Sequence, residues 1–315
     1  MEHLKEKLED AVTREHEKKL TIVKDWLSAG DQSQSDQTNY QTIRAECATT
    51  AHWILQHATI KHWINADVPS TPVVWMHGIP GAGQYSYMTI DLDILNSRSP
   101  GKTILASAIV DQCKLKTGFN TCYFYCHVGD QTSDSAVGII KGLVDQLLGQ
   151  YPDMLPPCYL RRASSGEPSL RSLNVAKKLL EDFCDTVPEL FVIIDGLDEC
   201  EGAERKQFLE IITEIVGRRD AADPGKLRLL VVSQDYADIR KGLHSAGVAR
   251  MAPTILKITG ADHEKNIQAY VKLYVDRIAS RFHPFDDDLK EYLQNLTVSN
   301  AKGTLASSGS VRTAT

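Results

Sequence analysis

Residues 72–83 read PVVWMHGIPGAG, an apolar run that ends in a glycine-rich turn. The run is typical of a buried strand, and the six residues from Gly78 to Gly83 match the first part of the phosphate-binding pattern G-x-x-x-x-G-K-[ST]. A lysine should come next, but Gln84 stands there, and Lys102-Thr103 follows only after 18 intervening residues. The helix-like run ILASAIV begins at Ile104. The sequence therefore predicts a phosphate-binding loop that is divided into two parts.

The chemistry of such a loop assigns a role to each residue of the pattern. Successive backbone N–H groups surround the phosphates, the lysine adds a positive charge, and the Ser/Thr hydroxyl ligates Mg²⁺. We expect the phosphates of ATP or ADP to bind Gly78, Ile79, Pro80, Gly81, Ala82, Gly83, Lys102 and Thr103. We expect Thr103 also to ligate Mg²⁺. An insertion in the middle interrupts the series of amides, so we predict weak or no ATP binding by the chain as written.

The inserted residues 84–101, QYSYMTIDLDILNSRSPG, differ from their surroundings. One interpretation is a translated intron, because the length keeps the reading frame and the position is the least tolerant one in the loop. The other is a genuine surface insertion, since loops accept insertions. In that case the alternation over residues 90–94 predicts a short strand.

A second motif, LFVIIDGLDE, spans residues 190–199. Its apolar part predicts a strand that is buried on both faces, with Asp195 at the carboxyl end. An aspartate there holds Mg²⁺ in phosphate-binding proteins, and a neighbouring acid, Asp198 or Glu199, orients the attacking water as the catalytic group. The alternative is an ordinary acidic turn or helix cap. The two strand-linked motifs together favour a nucleotide site.

The pattern as a whole predicts an α/β fold, a P-loop NTPase. We expect a doubly wound, mostly parallel five-stranded sheet with helices on both faces, preceded by a helical N-terminal segment. The predicted strands are 73–77, 121–126, 190–194, 227–233 and 254–258.

The sequence also predicts how the chain is divided into segments. We expect a charged N-terminal helix (1–29), a polar linker (30–41), a helical lead-in (42–70), the nucleotide-binding domain (71–260), the start of a helical region (261–300) and a disordered tail (301–315). A Pro-rich, basic connection is expected over residues 151–168.

Composition excludes several functions. A net charge of −6 and a pI near 5.9 give no general attraction to nucleic acid. No apolar run approaches the ~20 residues of a membrane span, and the charged N-terminus is not a secretory signal, which favours a cytoplasmic protein. Seven scattered cysteines favour buried free thiols over a metal site.

The motifs WMHGIPGAG, KTILAS and FVIIDGLDECEG resemble those of NACHT-type P-loop NTPases of the STAND class, the switch ATPases of NOD-like receptors. The pattern around Arg44, Trp53-Ile54-Leu55 and Trp63 is similar to the nephrocystin-like N-terminal module of fungal NACHT proteins. Residues 122–148 and 227–239 also fit. The resemblance implies ATP/ADP-dependent switching between a closed monomer and a homo-oligomer. The helix that the spacing predicts over residues 1–28 either packs on the next domain with a solvated outer face or contacts a protein partner.

Three departures from the family pattern bear on activity. The first is the insertion. The second is Gln234, where the family usually has an arginine that senses the γ-phosphate. The third is the C-terminus, where TLASSGSVRTAT stands in place of an apolar helix. The alternative function is therefore a non-enzymatic, truncated remnant or interaction module, and whether the chain hydrolyses ATP is left open.

Overall fold

The computed structural model describes residues 2–46, 51–78, 100–129, 134–244, 252–259, 275–276, 279 and 286–295. Residues Ile79–Gly83, most of the insertion, and the predicted tail over 301–315 lie outside the described residues.

A five-stranded, entirely parallel sheet forms the centre of the molecule. Its strands are β1 (Val73–Gly78), β2 (Asn120–Tyr125), β3 (Leu190–Asp195), β4 (Leu227–Gln234) and β5 (Thr254–Ile258). They lie in the order β2-β3-β4-β1-β5. The predicted fold class is confirmed, and each predicted strand agrees with an observed one to within one residue at either end. All five carboxyl ends meet at one edge, where ligands of open α/β sheets bind.

Helices cover both faces of this sheet. They are α1 (Glu2–Leu27), α2 (Gln32–Glu46), α3 (His52–Gln56), α4 (Ala58–Asn65), α5 (Pro100–Lys114), α6 (Ala136–Gln150), α7 (Leu155–Ser165), α8 (Leu173–Thr186), α9 (Gly202–Ala222) and α10 (Ala237–His244). Short 3-10 turns span Pro152–Met154 and Leu197–Glu199. Residues 287–295 are also helical.

The alternating side chains of the strands divide the core into two layers. One face of the sheet packs against α2 to α5, and the other packs against the carboxyl end of α1 and against α6 to α10. Trp26 of α1 and Trp63 of α4 are almost fully buried, each on its own face. Burial of this kind stabilises by about 25 cal/mol per Å² of apolar surface. The N-terminal helix is thus packed on the domain at its carboxyl end, while Val12 in its first half is exposed.

The polar linker predicted over residues 30–41 is wrong. Most of this segment belongs to α2, and Ser33, Asp36 and Gln37 are buried although they are polar. Gln37 Nε2 donates to Ser107 O (3.1 Å) and to Asp111 Oδ1 (2.7 Å) on α5. Because α2 is held by hydrogen bonds, apolar periodicity gave no sign of it. Ser33, Gln37 and Tyr40 nevertheless have helical spacing.

The connection predicted over residues 151–168 is also largely helical. Two prolines stand at the start of α7, where a missing N–H costs nothing. Helix α5 also begins with a proline: Pro100 and Gly101, the last residues of the predicted insertion, are its first two residues.

One buried arginine joins α4 to the sheet at the edge opposite the carboxyl ends. Arg228 of β4 is 1% exposed, and its guanidinium lies over the rings of Phe119 and Phe191. It donates to backbone carbonyls of Gly225, Trp63, Ile64, Ala66 and Asp67. The guanidinium therefore satisfies the carbonyls at the end of α4 that the helix itself leaves unpaired.

The six cysteines in the described ranges are free and buried, as composition predicts. In the part of the chain that the structure describes, no helix is both long enough and apolar enough to cross a bilayer.

Candidate functional site

The site lies at the carboxyl edge of the sheet, where β1, β3 and β4 end side by side. Gly78 pairs in register with Gln234, and Asp195 pairs with Val232. Strand β4 separates β1 from β3, so the tips of the two motif strands are two strand spacings, or about 10 Å, apart. The two motifs that the sequence singles out therefore end on the same edge of the sheet.

Glycine is required at both strand tips. Gly196 has φ of 74°, in the left-handed region, and a Cβ there would lie 2.9 Å from the carbonyl oxygen of Cys126. A Cβ on Gly78 would lie 2.9 Å from the carbonyl oxygen of Ile258 on β5. Gly78 thus has a packing reason to be glycine, whatever it binds.

The first turn of α5 brings its two predicted residues to the tip of β3. The Thr103 hydroxyl lies beside the Asp195 carboxyl and lowers the pKa of that carboxyl, as a hydrogen-bond donor does. Lys102 is only 6% exposed and Asp195 only 5%. Both residues line one cleft with Asp198 and Glu199. The structure therefore brings five of the predicted site residues into one cleft: Lys102, Thr103, Asp195, Asp198 and Glu199. Gly78, the sixth that it describes, lies at the end of β1, two strands away from β3.

Burial controls the ionisation of the two innermost groups. It raises the pKa of Asp195 to about 7, with the negative charges of Asp198 and Glu199 acting in the same direction and the Thr103 hydrogen bond and Lys102 opposing it. Burial also lowers the pKa of Lys102, while the three carboxylates oppose that shift. Among the described residues, no carboxylate forms an ion pair with Lys102 at 4.0 Å or less. The cleft therefore holds a buried ammonium and a buried carboxyl that do not neutralise each other directly.

The two outer acids are fixed by backbone amides. Asp198 Oδ1 accepts a hydrogen bond from the Gln234 N–H (3.0 Å), and Glu199 Oε2 accepts one from the Val128 N–H (3.1 Å). The turn Leu197–Glu199 is thereby joined to the ends of β4 and β2. Each carboxylate keeps capacity to accept further hydrogen bonds, so neither bond decides between Asp198 and Glu199 as the water-orienting group.

Sequence reasoning missed several residues around the cleft. Val128, Ser233 and Tyr236 also line it, beside Gln234, which the sequence had already singled out. Arg205 of α9 donates to the carbonyl of Cys200 (3.1 Å) and so supports the turn that carries the acids. These residues carry no motif, and only the meeting of strand ends reveals them.

The donor set matches a phosphate-bound magnesium ion better than a metal held by protein alone. Over the described ranges, no group of three or more His, Cys, Asp or Glu side chains is arranged to hold a metal ion. Magnesium is usually bound by one or two carboxylates together with substrate phosphates and water. The Asp195 carboxyl fits that description and the Thr103 hydroxyl is a further oxygen donor, so these residues fit such an ion, while the Lys102 ammonium beside them fits a phosphate.

Two comparisons with known proteins agree with this picture. Residues 97–234 match the family model described as nephrocystin 3, N-terminal. The match contains Lys102, Thr103 and the second motif, and it begins downstream of Gly78–Gly83 and of the pattern around Arg44, Trp53 and Trp63.

The chain is also similar to the vegetative incompatibility protein HET-E-1 of Podospora anserina, with 23% identity over 258 residues. The aligned region is 80% of this chain but 17% of that relative. The two matches, together with the fold, confirm that the chain resembles fungal NACHT-type proteins with a nephrocystin-like N-terminal module.

Proposed function

We propose that the chain is the nucleotide-binding part of a NACHT-type signalling switch that binds ATP or ADP with Mg²⁺. The observation that carries this proposal is the meeting of Lys102, Thr103 and Asp195 in one buried cleft at the carboxyl edge of the sheet. A bound Mg²⁺ supplies charge neutralisation at the β- and γ-phosphates. Thr103 and Asp195 would hold it, and the Lys102 ammonium would contact phosphate oxygens.

The residues of the cleft divide the remaining tasks. Gly78 to Gly83, apart from Pro80, would offer backbone N–H groups to the phosphates, and Asp198 or Glu199 would orient the attacking water. Gln234 lacks the charge of the arginine that the family places there, so hydrolysis would be coupled more weakly to a change of conformation. By the resemblance, we further propose a cytoplasmic protein that forms a homo-oligomer when activated and that contacts a protein partner through α1.

One specific observation favours a second candidate, a non-enzymatic remnant or interaction module. Residues 84–101 separate Gly83 from Lys102, so the amides of the loop do not run on into the helix that carries the lysine. Closing a loop of this length costs only a few kcal/mol. Lys102 can therefore return to a place near Gly83 at a small cost in free energy. An unbroken series of backbone amides is much harder to restore.

A binding experiment separates the two candidates. The chain as written and a form without residues 84–101 are each titrated with fluorescent ATP in the presence of Mg²⁺, and Lys102→Ala is made in both backgrounds as the control. We expect binding by the shortened form that Lys102→Ala removes. Binding by the shortened form alone would assign the chain as written to the second candidate. No binding by either form would refute the nucleotide-switch proposal.

The origin of the insertion has its own test. Transcript sequencing across residue 84 is expected to yield a major message that lacks the codons of residues 84–101. A mature, abundant message that encodes them would refute the intron interpretation.

A further inference from the structure

Helix α2 reaches the cleft through a short series of contacts. Asp36 Oδ2 lies 2.7 Å from His127 Nε2, two residues beyond the end of β2. The same carboxylate accepts a hydrogen bond from Gln32 Nε2 at its other oxygen (2.9 Å). Both oxygens of this buried carboxylate are therefore engaged, so its orientation toward His127 is set by α2.

The helix itself is a firm support for Asp36. Next to it, Gln37 bonds to α5 and accepts a hydrogen bond from the Tyr125 hydroxyl, while Ser33 Oγ accepts one from the Tyr125 N–H (3.3 Å). The rings of Tyr40 and Tyr125 meet edge to face at 5.1 Å. Tyr125 pairs in register with Asp195, so these contacts between α2 and Tyr125 lie directly beside the tip of β3.

His127 precedes the residue that holds one of the cleft acids. The Val128 N–H donates to Glu199 Oε2 (3.1 Å), and both Val128 and Glu199 line the cleft. The Val128 side chain is 54% exposed, so apolar packing does not hold this residue in place. The last ladder bond before it runs from the Cys126 N–H to Asp195 O (2.9 Å). His127 lies between Cys126, which makes that bond, and Val128. Its contact with Asp36 is the strong polar contact that holds this part of the chain in place.

We propose that Asp36 and His127 are positioning residues of the cleft: α2 orients the His127 ring, and this fixes the Val128 peptide that holds Glu199. The inference rests on the proposed function in one respect: it takes the cleft to be a nucleotide site. It makes α2 a working part of that site, so that a displacement of the N-terminal segment would weaken the Val128 hydrogen bond to Glu199.

Amide hydrogen exchange at Val128 tests the proposal in the full chain, without nucleotide. Loss of a hydrogen bond to a charged group corresponds to about tenfold or more in an opening equilibrium. We therefore expect Asp36→Ala to speed exchange at Val128 by about tenfold, with the core amide of Ile193 unchanged. Gln41→Ala is the matched control, because Gln41 also bonds from α2 to Asp111 but has no contact with His127. It should leave Val128 unchanged.

A double variant shows whether Asp36 acts through Glu199. Residues that act on one contact have non-additive effects. Glu199→Gln alone should speed Val128 exchange, and adding Asp36→Ala should speed it little further. Unchanged exchange in Asp36→Ala, an equal effect of Gln41→Ala, or additive effects of Asp36→Ala and Glu199→Gln would each overturn the proposal.

A second variant covers the case in which Asp36→Ala unfolds the chain. His127→Ala leaves the other contacts of α2 intact, offers no polar group to Asp36 and should also speed Val128 exchange by about tenfold; no change there would overturn the proposal. Because none of these measurements uses nucleotide, a failure of ATP binding leaves them readable. The positioning role and the proposed function can therefore fail separately.

Discussion

Two buried cations lie at opposite edges of the same sheet, and they differ in what surrounds them. Arg228 is 1% exposed, donates to five backbone carbonyls and lies near two aromatic rings. Lys102 is 6% exposed and faces carboxylates without a direct ion pair among the described residues. Backbone carbonyls satisfy the first cation, whereas the described residues give the second no direct ion pair, as the proposed phosphate site requires. A buried charge that the chain leaves unsatisfied is destabilising, and such groups mark functional sites.

The largest effect should come from the satisfied cation. Arg228→Met is expected to lower the free energy of unfolding by about 3–5 kcal/mol, because it leaves several buried carbonyls without donors. Urea denaturation measures the loss. Arg228→Lys is the control and should lose less, since an ammonium keeps the charge but offers three donors in place of five. A loss below about 1 kcal/mol for Arg228→Met would contradict the assigned role of the guanidinium.

Replacing the buried carboxyl of Asp195 should have the opposite effect: it should raise the free energy of unfolding, whereas replacing Arg228 lowers it. With a pKa of about 7 in the fold against 3.8 in the unfolded chain, Asp195 binds its proton more tightly when folded. Its contribution to stability therefore falls as the pH rises from about 4 to about 7. Asp195→Asn removes this loss and should stabilise the fold above pH 7, by at most about 4 kcal/mol.

Urea titrations at pH 5 and pH 8 measure the Asp195 effect. The surface variant Asp185→Asn is the control and should not stabilise the fold, because Asp185 is half exposed and pairs with Arg218. If Asp195→Asn differs from the parent in stability by the same amount at both pH values, that result would contradict the raised pKa of this buried carboxyl.

The glycine at the tip of β3 tests how tightly the cleft edge is built. Gly196→Ala should destabilise by about 1–3 kcal/mol, because a side chain is disfavoured at φ of 74° and its Cβ would crowd the Cys126 carbonyl. Gly149→Ala, near the end of α6 with open space around its Cβ, should stabilise by up to about 1 kcal/mol. Thermal unfolding of both variants checks the contrast, which equal shifts would refute.

The smallest stability effect should come from the cleft cation. Lys102→Met is expected to change the free energy of unfolding by less than about 1 kcal/mol or to raise it, since an apolar side chain removes the cost of burying the ammonium. Measured beside Arg228→Met in urea, it sharpens the comparison between the two edges. A loss as large as that of Arg228→Met would show that Lys102 is a structural cation instead.

The sequence was a good guide where apolar patterns or motifs carried the information. All five strands, the class of fold and the convergence of Lys102, Thr103 and Asp195 follow from apolar runs that end in glycine or acid. It was a poor guide where polar contacts hold an element in place. The predicted linker over 30–41 is mostly helix α2, whose buried Ser33, Asp36 and Gln37 have the composition of a loop. Hydrogen bonds to residues 70 or more positions away cannot be read from local spacing.

By itself, then, the amino-acid sequence determined which segments are strands and which residues could contact a triphosphate, because burial of apolar runs and the chemistry of the motifs are local properties. Only the tertiary structure decided that β4 separates the two motif strands and that α2 adjoins the cleft. It also decided that Arg228 bonds to five carbonyls while Lys102 forms no direct ion pair within the described ranges. Those outcomes depend on strand order and on partners distant in the chain, and no single segment contains them.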